Sequence, residues 1–216
     1  TRLQAISTDA PERAWLVAAS LGDQSRADIE DSVRELRALA DTAGVELAGE
    51  TLCRLRALQP ATYIGPGKAA EIAAALAAAG ANLVIFDDDL TPAQGRNLED
   101  IFGVRVVDRT QLILDIFAQR ALTLEGRLQI ELAQLHYLIP RLRGLWTHLE
   151  RQKGGIGLKG PGEKQLELDR RRIEERIHRI RDQLQNVRQR RAELRRGRRR
   201  HGWALLTLVG YTNAGK

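Results

Sequence analysis

The sequence predicts an α/β chain: a small parallel-sheet βαβ domain, a long antiparallel two-helix hairpin, then the first strand of a further domain. Three observations carry this. Short apolar runs alternate with amphipathic stretches up to about residue 120. Two stretches beyond it repeat apolar residues at spacings of four and three. The last residues, "LLTLVGYTNAGK" (205–216), read as an apolar strand entering a glycine loop.

The elements follow in order. "AWLVAAS" (14–20) is a short apolar strand, and "DIEDSVRELRALADTAG" places Ile29, Val33, Leu36 and Leu39 on one helical face before Gly44 stops it. "VELAGETLCRL" (45–55) is a less clear extended segment. "YIGPGK" turns into "AAEIAAALAAAG", an alanine-rich helix ending at Gly80. "NLVIFDDD" (82–89) has the pattern of a buried strand ending in acids. In "TPAQGRNLEDIFG", Thr91 is a helix N-cap and Pro92 the first helical residue. "VRVVD" (104–108) is another strand, with a helix from about Arg109. Strands separated by helices of this length argue for right-handed βαβ units on a parallel sheet. This domain is assigned to 1–122.

Residues 123–200 form the hairpin. Leu128, Leu132, Leu135, Ile139, Leu142, Trp146 and Leu149 make one heptad seam; Ile173, Ile177, Ile180, Leu184, Val187, Arg191 and Leu194 make a second. Two matching seams predict antiparallel helices at about 125–151 and 164–197. Pro140 is expected to kink the first or open one turn. Arg170 and Arg191 interrupt the second seam. The segment 201–216 continues from a basic linker into the strand and glycine loop of the further domain.

Composition narrows the function. With 43% hydrophobic residues in 216 the chain has material for a core, and three each of Phe, Tyr and Trp make that core aliphatic. There is no run of eighteen apolar residues for a membrane helix and no signal-peptide core at "TRLQAISTDAPERAW". Cys53 stands alone, which excludes an internal disulfide and fits a reducing, cytoplasmic setting. The absence of methionine suggests a piece of a longer chain. From Arg141 to His201 there are 20 Lys/Arg against 8 Asp/Glu, while the remainder carries 14 against 20. A polyanion is expected at the basic part.

Two stretches carry candidate sites. "GYTNAGK" fits the first seven positions of the phosphate-loop pattern G-x-x-x-x-G-K-[ST]. Gly210, Tyr211, Thr212, Asn213, Ala214 and Gly215 would turn backbone N–H groups toward phosphates, and Lys216 would reach the β and γ phosphates. The hairpin connection is longer than the two to eight residues or so that such a connection needs. Its tip, 153–163, with Lys164 and the adjacent arginines, offers Lys153, Gly154, Gly155, Gly157, Lys159, Gly160, Gly162, Arg170, Arg171 and Arg172 for RNA phosphates. The plainer alternatives are a flexible connector and a solvated helix face. "RRGRRR" (195–200) allows the same two readings.

Other stretches weigh less. "GPGK" (65–68) could bind phosphate at a helix N-terminus, or simply start a helix. "DDD" (87–89) could hold a metal, but as a solvated loop before an N-cap it needs no ligand. His136, His148, His178 and His201 lack metal-ligand spacing, and no metal site or catalytic residue is assigned within the chain.

At "YIGPGK" (63–68), "GGIGLKGPGEKQLELDRRRI" (154–173) and "LVGYTNAGK" (208–216) the chain resembles the HflX family of translational GTPases. That resemblance implies an N-terminal parallel-sheet domain, a helical hairpin and a Ras-like GTP-binding domain. It implies ribosome binding, chiefly at the large subunit and its rRNA, with the hairpin tip reaching toward the peptidyl-transferase region; the chain itself is expected to be a monomer. It further implies GTP with Mg2+ as cofactors, GTP hydrolysis by the complete protein, and splitting or rescue of stalled ribosomes under stress. Asn213 matches an Asn common in loops of this GTPase class. The hydroxyl residue after Lys216 and the later guanine-reading motifs are absent, so this chain alone is expected to be inactive on GTP. Two other classes stay open: an RNA-dependent ATPase or helicase module using Gly65–Lys68, and a coiled-coil scaffold without an RNA partner.

Overall fold

The computed structural model describes residues 12–22, 26–55, 57–142, 161–202 and 206–210. Four parallel strands form one sheet in the order β2-β1-β3-β4: β1 (Arg13–Leu21), β2 (Glu46–Leu55), β3 (Leu83–Phe86) and β4 (Arg105–Val107). Between them run α1 (Arg26–Thr42), α2 (Pro66–Ala79) and α3 (Pro92–Phe102), and α4 (Arg109–Arg120) follows β4. The parallel βαβ reading of the sequence therefore holds.

Strand periodicity sorts the side chains into two layers. Leu16, Leu83, Ile85 and Val107 face one way and pack on Leu36 and Ala40 of α1 and Leu112 and Ile116 of α4. Val17, Val84, Phe86 and Val106 face the other way, onto Ile72 and Leu76 of α2 and Leu98 and Phe102 of α3. Both faces of β3 are covered, so all four of its residues are buried, as the unbroken "LVIF" run requires. β2 was harder to read because it is an edge strand with mixed exposure. Its Gly49 makes room for a neighbour: a Cβ there would lie 2.4 Å from the Trp15 ring, whose Nε1 donates to Thr51 Oγ1 at 2.9 Å.

Helix ends follow their residues. Thr91 and Gln94 form a reciprocal capping box with Pro92 in the first turn, and Gly103 closes α3 at φ 67°. The order of connections reverses between β1 and β3, so the carboxyl ends of these strands form the sheet's topological switch point.

After α4 the chain leaves the sheet. Helix α5 (Leu124–Leu138) is capped by Thr123, whose Oγ1 accepts from Gly126 N at 3.0 Å. Helix α6 (Pro161–Arg200) has 40 residues and so measures about 60 Å, against about 22 Å for α5. They pack through Leu128, Leu132, Leu135 and Ile139 against Ile173, Ile177, Ile180 and Leu184, the residues of the two heptad seams. Glu131 pairs with Arg176 and Glu125 with Arg191, so the helices run antiparallel.

Boundaries differ from the sequence reading in three places. The first arm helix is not continuous over the expected 125–151: as expected of Pro140 one turn opens, α5 stopping at Leu138 and a 3-10 turn following at Ile139–Arg141, while 143–151 lie outside the described residues. Pro140 has no N–H to continue the ladder, and the guanidinium of Arg141 covers the Tyr137 carbonyl at 3.1 Å. The second helix begins inside the expected tip, because Pro161 suits a first helical turn, and runs to Arg200, past the expected end at 197. Residues 206–210 were expected in a strand but have no regular structure; Leu206 and Val209 are 91% exposed, and no described strand lies alongside to pair with them.

Candidate RNA-binding arm and nucleotide-loop segment

The arm is fixed to the sheet by a buried charge. Asp108, at the end of β4, is 2% exposed. Its Oδ1 accepts from Gln111 N at 2.9 Å, capping α4, and its Oδ2 accepts from Arg141 Nη2 at 2.9 Å and Leu90 N at 3.4 Å. The same Arg141 nitrogen donates to the Leu90 carbonyl at 2.7 Å, and the guanidinium lies 3.4 Å from the Tyr137 ring centroid. Burial, reinforced by the Asp108 carboxylate, pushes the Tyr137 phenol well above its ordinary pKa. The helical break at Pro140 thus presents Arg141 to the carboxyl edge of the sheet. In the sequence Asp108 reads only as the end of a strand, and its partner 33 residues later carries no sequence signal.

Along α6 the charge is unevenly distributed. Arg170, Arg171 and Arg172 are exposed, as expected for phosphate contact, but each is engaged on its own helix: Arg170 with Glu174 at 2.9 Å, Arg171 with Glu175 at 3.5 Å, Arg172 with Asp169 at 3.2 Å. Mid-arm, Arg176 forms a forked pair with Glu131 at 2.7 and 2.8 Å. Arg191 breaks the apolar seam yet is accommodated by Glu125 at 2.5 Å. Beyond it Arg195, Arg196, Arg198, Arg199 and Arg200 are exposed, and among the described residues none has an acidic partner.

Of the remaining arm candidates, Lys153, Gly154, Gly155, Gly157, Lys159 and Gly160 lie outside the described residues, while Gly162 and Lys164 fall within the first turn of α6. Of the loop candidates, Gly210 is described and exposed; Tyr211, Thr212, Asn213, Ala214, Gly215 and Lys216 lie outside the described residues.

The switch-point edge holds the other motifs. Gly65 is the N-cap of α2 and Pro66 its first residue, but Lys68 Nζ bonds Glu71 at 2.7 Å along its own helix. The acidic run is bonded rather than freely solvated: Asp87 accepts from Arg109 at 2.7 Å and from Ser32, and Asp89 from Thr110 at 2.6 Å. Burial, then the neighbouring Asp87 and Asp89, push the Asp88 carboxyl up, against a hydrogen bond from Tyr63. Tyr63 has the left-handed φ of 65° and stands edge-on to Phe86. Among the described residues no His, Cys, Asp and Glu group could hold a metal ion, and no helix is long and apolar enough to cross a membrane.

Comparison with known proteins gives two family matches: GTP-binding GTPase N-terminal over residues 30–118 and GTP-binding GTPase Middle Region over 120–198. "GTPase HflX" of Escherichia coli strain K12 is 51% identical over 208 residues, covering 96% of this chain and 48% of that protein. "GTPase HflX" of Alkalihalophilus pseudofirmus is 49% identical over 189 residues, covering 88% and 45%. The chain spans about half the length of these relatives. Among solved structures, the SsGBP and GDP complex superposes with TM-score 0.61 at 20% identity, over 84% of this chain and 46% of that one. A GTP-binding protein from Sulfolobus solfataricus in complex with GDP gives 0.56 at 20% identity, over 82% and 46%. Likeness at that identity is one of fold.

Proposed function

We propose, from the premise that this chain belongs to the HflX GTPase family, that it is the RNA-binding part of a ribosome-associated GTPase. In this reading the arm docks on rRNA of the large subunit, and the glycine-rich tip carries Lys153, Lys159 and Lys164 to its phosphates. Gly210 to Lys216 begin the loop that holds GTP with Mg2+. Hydrolysis and rescue or splitting of stalled ribosomes belong to the complete protein.

The observation that carries the reading is the arm. Among the described residues, a helix about 60 Å long rests on a partner about 22 Å long and extends past it. Its surface is rich in guanidinium groups, and the helix N-terminus sits at the glycine-rich segment. A folded polynucleotide with recessed phosphates is the partner such a shape suits. The other two readings draw less support. Lys68 is occupied by Glu71, and the central part of the α6 seam, Ile173 to Leu184, is covered by α5 of the same chain, leaving less to drive a scaffold's self-association.

Co-sedimentation of the chain with purified large ribosomal subunits across a salt series tests the proposal. Binding is expected to weaken steeply with salt. Lys153→Ala, Lys159→Ala and Lys164→Ala together should lower the slope of log K against log salt by about two to three. An unchanged slope removes the tip lysines from the interface.

A further inference from the structure

The sequence directs attention to the tip and to Arg170, Arg171 and Arg172. The structure redistributes that emphasis. Those three guanidiniums already face carboxylates one turn away; a phosphate engaging them must compete with Glu174, Glu175 and Asp169. The opposite end of the same helix differs. Five arginines stand in the six residues 195–200, all exposed, with no acidic partner among the described residues. The α5 partner begins opposite Arg191, so among the described residues the helix beyond Leu194, itself 62% exposed, has no neighbour to neutralise it.

The charge is more than the helix end needs. Cations in the last turn complement the helix dipole by about 0.3–1 kcal/mol each, an effect confined to that turn. Against this, Arg195 with Arg199 and Arg196 with Arg200 are like charges one turn apart, which destabilise a helix. A cationic cluster that weakens its own helix is balanced when an anion is bound.

We infer that Arg195, Arg196, Arg198, Arg199 and Arg200 form a second phosphate-binding patch, about 40 Å along α6 from Arg171, for the backbone of structured RNA. The inference rests on the ribosomal reading above and adds a second anchor to it. Chemistry favours RNA over a lipid surface. Residues 195–200 contain no apolar side chain to enter a bilayer. After Lys164 every basic residue of α6 other than histidine is arginine, whose planar fork binds phosphate with two parallel hydrogen bonds.

The test uses the whole chain and purified large ribosomal subunits, with affinity measured from 50 to 300 mM KCl. Three variants are compared with the parent: the five arginines to Gln, the same five to Lys, and Arg170, Arg171 and Arg172 to Gln. The five-Gln variant should lose about three to four from the salt slope, the five-Lys variant should keep the parent slope within about one, and the 170–172 variant should lose about one or less. A five-Gln slope within one of the parent, with binding retained, overturns the patch alone. Equal loss in the five-Lys variant also overturns it, since charge would then not be the cause. A parent chain that fails to bind at any salt overturns the ribosomal reading and this inference together.

Discussion

Arg141 stands where three levels of structure meet. Its guanidinium covers a carbonyl next to a proline-broken helix, stacks on Tyr137 and binds a nearly inaccessible Asp108. Removing it leaves the carboxylate with hydrogen-bond donors but, among the described residues, no countercharge. Arg141→Met is expected to destabilise the chain by about 2–3 kcal/mol, read from urea unfolding. A loss below about 0.5 kcal/mol would mean that the arm's attachment lies elsewhere. The pair was not legible in the sequence, where Asp108 was only the end of a strand and Arg141 one of many basic residues. Nor was the engagement of Arg170, Arg171 and Arg172 with carboxylates: exposure is easily foreseen, but which neighbour a long side chain chooses is settled by rotamers in the folded helix.

At the scale of elements the sequence spoke most clearly where one physical rule acted alone. "LVIF" is apolar without interruption because helices cover both its faces, and Thr91-Pro92 marks a helix start because it satisfies free backbone N–H groups. The 4-3 spacing of the two seams included the residues that pack α5 on α6, while Leu194 of the second seam stays exposed and Trp146 and Leu149 lie outside the described residues. Element ends were less legible. Pro140 signalled a break but not that α5 would stop two residues earlier, and the glycines of the tip hid the start of α6 at Pro161. The expected strand around Leu206 and Leu208 lacks a neighbouring strand among the described residues, and an apolar run without one has no ladder to join. Seam depth makes its own prediction. Ile180 is fully buried and Leu194 is 62% exposed, so Ile180→Ala should cost about 2–5 kcal/mol and Leu194→Ala within about 0.5 kcal/mol in denaturant titration. Similar losses at both positions would contradict the observed extent of the α5–α6 contact.

Across the whole molecule, a parallel α/β unit holds a basic arm by its base. Acidic and basic residues are segregated accordingly: the segment from Arg141 to His201 has a large basic excess, while the rest of the chain is acidic on balance. Such a separation steers the arm, and not the sheet, toward a polyanion. The central claim is that the tip of this arm enters folded rRNA. Cys53 is the single cysteine, so Cys53→Ala with Lys159→Cys gives one attachment point for an iron chelate that releases hydroxyl radicals. With the labelled chain bound to large ribosomal subunits, the account predicts cleavage of the large-subunit rRNA at a few discrete positions, suppressed by excess unlabelled chain. Cleavage no stronger than that from a chelate at Leu47→Cys on the edge strand would contradict it.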